Sequence, residues 1–186
     1  RRVLAYLVQP GVWDKVFWVN RTNKNVWTTY VDSDWAGERE YSHTKSRTGV
    51  IILLNGLPVF WRSNKQPDTS LSSAQAEVYA LAEAARDVSL RFWIAEELLL
   101  QVTWPAIILV DNSSGIVFQQ SMNPASKLKG VFDLRLNWVK ELQNKDRIKA
   151  IKVDTKYNVA DILTKPLDSV TRNKLMLIVD NLRENV

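Results

Sequence analysis

Val26-Trp-Thr-Thr-Tyr-Val-Asp32 is an apolar, strand-forming stretch that ends on an acid. β-Branched and aromatic residues favour strands, so residues 26–32 are predicted to form a buried strand. A carboxylate at the end of such a strand is unusual, because a buried charge without a partner loses its hydration and gains nothing in return. Asp32 is therefore the first candidate for a functional residue.

Around this strand, the sequence predicts a mixed sheet with helices on both faces. Further strands are predicted at residues 50–54, 57–61, 106–110 and 148–153, with one more at 16–19. Helices are predicted at residues 72–87, 90–100, 113–120, 132–144, 159–164 and 169–182. Asn55-Gly56 joins two of the strands, because this dipeptide tolerates the positive φ of a type I′ turn. An antiparallel meander followed by α/β crossovers predicts an α/β fold with a mixed five-stranded sheet, in which three antiparallel strands precede the parallel ones.

The composition excludes several kinds of site. The chain has 186 residues, of which 46% are hydrophobic and 24% charged, as is typical of a folded globular domain. It contains no cysteine and one histidine, which excludes disulfides and thiolate or histidine-rich zinc sites. Any bound metal must therefore be a hard cation on oxygen ligands. No apolar run reaches the roughly 20 residues that cross a bilayer and no signal peptide is recognisable, so we expect a cytoplasmic location without a membrane partner.

Positive charge is concentrated in the second half of the chain. The net charge is +5, and residues 127–165 hold ten Lys and Arg against five acids, a surplus equal to that of the whole chain. This surplus predicts a polyanionic partner such as nucleic acid. A solvated helix face with ordinary lysine content explains the same charge pattern equally well.

Two further acids share the unusual placement of Asp32. Asp111 ends the continuous apolar run 107–110, so both acids lie at the carboxyl ends of predicted strands. Open α/β sheets bind their ligands at that edge. Asp161 opens the segment 160–166, close to the start of another predicted helix. If the strands are neighbours, these carboxylates lie near one another.

Glu77 is the acid that packing explains least. Its helix starts with the capping-box spacing Ser72-Ser-Ala-Gln75, and its apolar residues trace one face. By the 100° step of a helix, Glu77 lies about 40° from Leu81, on the core-facing side. A carboxylate there needs a partner, because burial alone would neutralise it.

Each of the other acids also has an ordinary structural explanation. Asp111 could be a helix N-cap, and Asp161 could be a first-turn residue that the helix dipole favours. Asp32 could form an Asx-turn with Asp34. None of these explanations accounts for Glu77.

A shared metal site explains all four acids together. Carboxylates held close together repel one another, and divalent cations relieve that repulsion. Mg²⁺ suits such a site because it binds a few carboxylates, keeps some of its waters and shares phosphate oxygens of a substrate. Two such ions, roughly 3.5–4 Å apart, can activate a water and stabilise the leaving oxygen of a phosphodiester. The sequence thus predicts a site for two Mg²⁺ ions, with Mn²⁺ able to replace them.

The motifs around these acids resemble those of the ribonuclease H domain at the end of the Pol polyprotein of copia-type retrotransposons. The resemblance covers nearly the whole chain. Its motifs are Tyr30-Val-Asp-Ser-Asp-Trp-Ala-Gly37, Lys45-Ser-Arg-Thr-Gly49, Phe60-Trp-Arg-Ser-Asn-Lys-Gln-Pro67, Leu71-Ser-Ser-Ala-Gln-Ala-Glu-Val-Tyr-Ala-Leu81, Val110-Asp-Asn112 and Asn158-Val-Ala-Asp-Ile-Leu-Thr-Lys-Pro-Leu167.

The resemblance implies a fold, an activity and partners. It implies a ribonuclease H-like fold in which Asp32, Glu77, Asp111 and Asp161 bind two metal ions and are the catalytic residues. The implied activity is Mg²⁺-dependent hydrolysis of the RNA strand of RNA–DNA hybrids during reverse transcription, within virus-like particles. The implied partners are the hybrid and the reverse-transcriptase domain of the same polyprotein. The candidate nucleic-acid contacts are Lys127, Lys129, Arg135, Lys156 and Asn158.

The resemblance also implies domain limits. Residues 1–12 correspond to the tail of the preceding reverse-transcriptase connection, residues 13–167 to the ribonuclease H domain and residues 168–186 to a C-terminal helix. One departure concerns the loop 154–160, which lacks the histidine that many ribonucleases H carry before the last acid. Lys156 or Asn158 could take its role.

Two alternative functions remain at the level of sequence. One is a catalytically weak or inactive ribonuclease H-like module that binds hybrid and tethers it for the polymerase. The other takes Asp32-Ser-Asp34 as the Asp-x-Asp metal site of a glycosyltransferase. That second alternative leaves Glu77 and Asp161 without a role.

Overall fold

The structure of the chain is a computed structural model that describes residues 25–35, 45–67, 69–70, 72–111 and 131–179. Several predictions fall outside these ranges. They concern the strand at 16–19, the helix at 113–120, the leading segment 1–12 and the contact residues Lys127 and Lys129.

The described residues form a mixed five-stranded sheet, as predicted. Its strands are β1 (Trp27–Asp34), β2 (Arg47–Leu54), β3 (Leu57–Lys65), β4 (Ala106–Val110) and β5 (Ile148–Lys152). The strand order is β3-β2-β1-β4-β5, with β1–β2 and β2–β3 antiparallel and β1–β4 and β4–β5 parallel. The central strand β1 therefore ends at the same edge of the sheet as β4.

Four helices pack against this sheet. They are α1 (Ser73–Glu97), α2 (Val131–Asn144), α3 (Asp161–Thr164) and α4 (Ser169–Val179), and a short 3₁₀ turn covers Thr155–Tyr157. No helix in the described part of the chain has the length and apolar character needed to cross a membrane. The helices predicted at 132–144, 159–164 and 169–182 are confirmed within the ranges described.

The sheet is covered on both faces, and β2 shows this most clearly. Val50 and Ile52 point into a core beneath α1, in which Phe92 contacts Trp27 at a ring distance of 5.3 Å. The alternate residue Ile51 points into a second core, which includes Leu175 of α4. Successive strand residues face opposite sides of a sheet, so a continuous apolar strand fits this central position.

Helix α1 is one continuous helix, whereas the sequence predicted two, at 72–87 and 90–100. In the structure Asp87 is buried and forms an ion pair of 2.7 Å with Arg62 of β3. Arg62 also lies 2.9 Å from Glu83. An arginine 25 positions upstream thus allows an acid to lie in the middle of a buried helix face.

We predict that Arg62 contributes substantially to stability. Burial raises the pKa of Asp87 even though Arg62 opposes that effect, so removing Arg62 leaves a buried acid with less compensation. We expect Arg62→Ala to lower the free energy of unfolding by about 2–4 kcal/mol, measured by urea denaturation. Lys145→Ala is the control, because its pair with Glu141 is exposed and should contribute less than about 0.5 kcal/mol. Equal losses in the two variants would contradict the assignment.

Candidate metal centre

The parallel pairing of β1 with β4 brings the first two acids together. Val31 and Val110 are partners in the register, so Asp32 and Asp111 follow side by side at the carboxyl edge. Asp32 is 6% exposed, and Asp111 is half-buried. The sequence-based placement of both acids at the ends of neighbouring strands is therefore confirmed.

Asn158 fixes the segment that carries Asp161. Its side-chain amide donates to the Val31 carbonyl at 3.1 Å and accepts from the Ala160 amide at 3.2 Å. Both contacts lie inside the protein, and Asn158 is fully buried. The predicted nucleic-acid contact at Asn158 therefore needs correction, since its polar atoms hold the start of α3 against β1.

Gly49 allows α3 to approach the sheet closely. It is the register partner of Asp32 across β1 and β2. A β-carbon at this position would lie 2.8 Å from Cγ2 of Thr164 and 2.9 Å from the Ala160 carbonyl oxygen. Real β-carbons essentially never show such contacts, so only glycine admits α3 at this distance. The tight approach brings Asp161 to Asp32.

The three aspartates form one compact group. Asp32, Asp111 and Asp161 each offer a carboxylate oxygen, and these oxygens all lie within 4.8 Å of one another. They come from three separate elements, β1, the end of β4 and α3. Oxygen ligands in this number are what Mg²⁺ or Mn²⁺ accepts, and the donor set contains no sulfur or imidazole.

Glu77 lies beside this compact group and is not part of it. It is half-buried and lines a small pocket with Asp32 and Asp111. This position agrees with the core-facing side that the helical spacing predicted. Of the four predicted acids, the structure thus brings three into one group and places Glu77 at its margin.

Buried polar contacts set the position of Glu77. Gln66 donates to the Ala76 carbonyl at 2.9 Å and to Thr48 at 3.0 Å, and accepts from Ser70 at 2.8 Å. It thereby ties the first turn of α1 to β2. The hydroxyl of Ser72 accepts from the Gln75 amide at 3.2 Å, which confirms the predicted N-cap.

Thr164 and Lys165 contact the acids, and sequence reasoning gave neither of them a role. The Thr164 hydroxyl donates a hydrogen bond to Oδ2 of Asp32. The Lys165 ammonium lies 3.2 Å from Oδ1 of Asp32 and 3.0 Å from Oδ1 of Asp161. The available signal was the spacing, because Lys165 follows Asp161 by four positions, which puts the two side chains on one helical face.

Burial makes the ionised form of these aspartates energetically costly. It raises the pKa of Asp161 to about 6, and the charge of Asp32 adds to the effect. Burial also raises the pKa of Asp111, again with help from Asp32, while Lys165 and a hydrogen bond to Thr155 act in the opposite direction. A bound cation would relieve these costs, so the residues fit a divalent metal.

Besides Asn158, two more of the predicted nucleic-acid contacts lie among the described residues with their side chains engaged. The Arg135 guanidinium stacks 3.9 Å from the centre of the Tyr79 ring. Lys156 is exposed and forms an ion pair of 3.0 Å with Asp154. That these two residues contact nucleic acid remains a prediction.

Comparison with known proteins gives relatives of one kind over nearly the whole chain. The retrovirus-related Pol polyprotein from transposon TNT 1-94 of Nicotiana tabacum is 28% identical over 191 residues, which cover 94% of this chain and 14% of the polyprotein. The one from transposon RE2 of Arabidopsis thaliana is 28% identical over 170 residues, 91% of this chain and 11% of the polyprotein. The chain thus spans about one seventh or less of these relatives. No protein-family model matches.

A shorter match concerns a protein with a different name. Secreted RxLR effector protein 161 of Plasmopara viticola is 40% identical over 87 residues, 47% of this chain and 58% of that protein.

Solved structures show the fold. LC11-RNase H1, solved in complex with an RNA/DNA hybrid, superposes with a TM-score of 0.51 at 16% identity, over 74% of this chain and 93% of that one. The chain has the ribonuclease H fold. Its relatives are retrovirus-related Pol polyproteins of plant transposons, so the resemblance read from the sequence motifs is confirmed.

We predict that Gly49→Ala disturbs the candidate metal centre of this ribonuclease H fold by pushing α3 away from the sheet. Overpacking of this kind costs about 1–3 kcal/mol of unfolding free energy, which urea denaturation would measure. The thermal stabilisation by Mg²⁺ should shrink in parallel, because Asp161 moves with α3.

A second substitution tests the cause. Thr164→Ser removes the methyl group that the new β-carbon would meet and keeps the hydroxyl that binds Asp32. In the Gly49→Ala background it should restore part of the unfolding free energy. The restoration should be incomplete, because the close contact with the Ala160 carbonyl oxygen remains. A fully stable Gly49→Ala variant would contradict the close-approach explanation.

We also predict a pH dependence that originates at Asp161. The pKa of Asp161 is about 6 in the fold against 3.8 for an ordinary aspartate, so the folded state holds the proton more tightly. Stability from this group is therefore present at pH 4 and is lost as the pH rises through 6. Relative to the parent, Asp161→Asn should gain up to about 3 kcal/mol of unfolding free energy between pH 4 and pH 8, measured by urea denaturation in EDTA. Glu141→Gln is an exposed control, and a constant difference for Asp161→Asn would refute the shift.

Proposed function

We propose that the chain is a metal-dependent endonuclease that hydrolyses the RNA strand of RNA–DNA hybrids. The observation that carries this proposal is the compact group of Asp32, Asp111 and Asp161 at the carboxyl edge of a ribonuclease H fold. Two further facts support it. LC11-RNase H1 was solved with an RNA/DNA hybrid, and the relatives are Pol polyproteins.

Under this proposal the acids hold two Mg²⁺ ions, with Mn²⁺ able to replace them. When bound, such ions activate an attacking water and stabilise the leaving oxygen of the phosphodiester. Asp32, Asp111 and Asp161 would hold the ions, and Glu77 would supply a further carboxylate from the margin of the group. The expected products carry 3′-hydroxyl and 5′-phosphate ends.

Thr164 and Lys165 orient the acids in this proposal. The Thr164 hydroxyl holds one oxygen of Asp32, which fixes the direction of the other. Lys165 spans Asp32 and Asp161 and keeps the two carboxylates close together. Neither residue needs to touch the substrate for these roles.

The relatives also support a proposal for the biological setting. We propose that the chain acts during reverse transcription beside a reverse-transcriptase domain of the same polyprotein, within virus-like particles. The names of the relatives support this setting.

A second function is hybrid binding without cleavage, with the chain tethering hybrid for a polymerase. One observation favours it: Lys165 already supplies positive charge to two of the acids. A site with its own cation could remain closed to metals. The two functions differ in whether the acids are needed for turnover.

Cleavage of a labelled RNA–DNA hybrid in Mg²⁺ tests the proposal. The wild-type chain should cut the RNA strand and leave DNA–DNA and RNA–RNA duplexes intact. Asp111→Asn should reduce the rate by at least about 100-fold, because it removes a metal ligand. Glu141→Gln is the matched control, an exposed carboxylate distant in sequence from the acids, and should cleave at the wild-type rate.

The readouts separate the two functions. Hybrid cleavage that survives Asp111→Asn would remove the acid group from the mechanism. Tight hybrid binding by the wild type with no cleavage in either Mg²⁺ or Mn²⁺ would establish the tethering function instead.

A further inference from the structure

A basic groove opens next to the three aspartates. We define the basic groove by its lining residues: Asp34, Lys45, Arg47, Lys65, Ile162, Leu163, Thr164, Lys165 and Pro166. Four of them are cations and one is an acid, so the groove has a net positive charge. None of its lysines or arginines was among the contacts predicted from the sequence.

Strand register brings these charges together. Asp34 of β1, Arg47 of β2 and Lys65 of β3 are successive register partners, so they form one row across three strands. Residues directly opposite one another share a face of the sheet, and like charges so placed are destabilising. Arg47 and Lys65 are such a pair. Asp34 lies opposite Arg47 on its other side, so this row of two cations and one acid carries a net positive charge.

The walls of the basic groove are built by hydrogen bonds. The Lys45 ammonium donates to the Pro67 carbonyl at 2.7 Å, and the Arg47 guanidinium donates to the Ser63 hydroxyl at 3.2 Å. Ser63 in turn donates to the Leu163 carbonyl at 2.6 Å. These contacts link the end of β3 and the start of β2 to α3, so the groove and α3 share one framework.

Lys165 connects the basic groove to the acids. It lines the groove and contacts Asp32 and Asp161. Thr164 does the same through its hydroxyl, which binds Asp32. A nucleic-acid strand with one phosphate at the acids therefore has the groove as its adjacent surface.

We propose that the basic groove binds backbone phosphates of the strand that runs through the acid group. The proposal rests on the proposed function for the position of the substrate. The ligand class is a phosphodiester backbone, which cations contact without reading sequence. The groove lies on the face covered by α3, whereas Arg135 stacks on Tyr79 of α1 on the opposite face. Apart from Lys165, the cations of the groove lie outside the range 127–165 that the charge surplus indicated.

Hybrid binding at several salt concentrations tests this proposal. The Asp111→Asn chain serves as the background, so that the labelled hybrid is not cut, and fluorescence anisotropy measures Kd between 50 and 300 mM KCl. Lys45→Ala and Lys65→Ala should each weaken binding several-fold. Each should also lower the slope of log K against log salt by roughly one unit, because one phosphate contact is lost. Lys174→Ala removes an exposed lysine on α4 and should change neither quantity.

A neutral backbone localises the contact. Hybrids with single methylphosphonate linkages at stepped positions lose one charge each. At one or two positions next to the cut site, the effect of Lys65→Ala on Kd should disappear, since the phosphate that Lys65 contacts is already neutral. Matched melting temperatures would show that the variants are folded.

The outcomes distinguish this inference from the proposed function. Unchanged salt slopes in both groove variants would overturn the groove, even if the wild-type chain cleaves hybrid. Equal effects of Lys65→Ala at every methylphosphonate position would also overturn it, because a diffuse field would then account for binding. Reduced slopes in a chain whose wild type never cleaves would support the groove and refute the nuclease function.

Discussion

Three carboxylates within 4.8 Å of one another are the constraint on which this edge of the molecule depends. At an effective dielectric constant of about 20, two unit charges at that distance repel by roughly 3 kcal/mol. Lys165 supplies one positive charge between Asp32 and Asp161. Three ionised acids and one lysine still leave a charge of −2, which one divalent cation would neutralise. Glu77 at the margin adds a further negative charge, which a second ion could use.

The same constraint explains why the surrounding contacts are so closely fitted. The acids come from elements that are far apart in the chain, and their repulsion would separate any loosely held segment. Asn158 and Gly49 counter this by fixing α3 against β1 and β2 from two sides. Gln66 holds the first turn of α1 in the same way. Packing and buried hydrogen bonds therefore supply the energy that keeps the charges together.

Local signals in the sequence account for the parts of this structure that could be predicted. β4 was predicted at its observed limits because a continuous apolar run marks a strand buried on both faces. The position of Glu77 followed from helical spacing. The errors concerned contacts between distant parts of the chain. The prediction divided α1 at Asp87 because the partner of Asp87, Arg62, comes from β3. The roles of Gly49 and Lys165 were hidden for the same reason, since both depend on where α3 lies against the sheet.

Charge counting along the sequence has a similar limit. A surplus of cations along the sequence predicts the location of a binding surface for a polyanion only when the same cations are also neighbours in the fold. The basic groove shows another arrangement, because strand register places Lys65 beside Arg47, and the fold brings Lys165 from a distant part of the chain to the same groove. A surplus of positive charge along the chain and a cluster of positive charge in space are therefore different quantities, and only the fold reveals the cluster.

The residual charge at the acids also bears on the choice between cleavage and tethering. When ionised, the three acids outnumber the single positive charge of Lys165 beside the groove. A phosphodiester brought to that place is repelled, so a module that only binds hybrid would bind better without these acids. In a metal-dependent nuclease this repulsion is offset, because the cations that neutralise the acids also attract the phosphate. Three converging aspartates beside a groove of opposite charge thus disfavour a tethering function and favour hydrolysis.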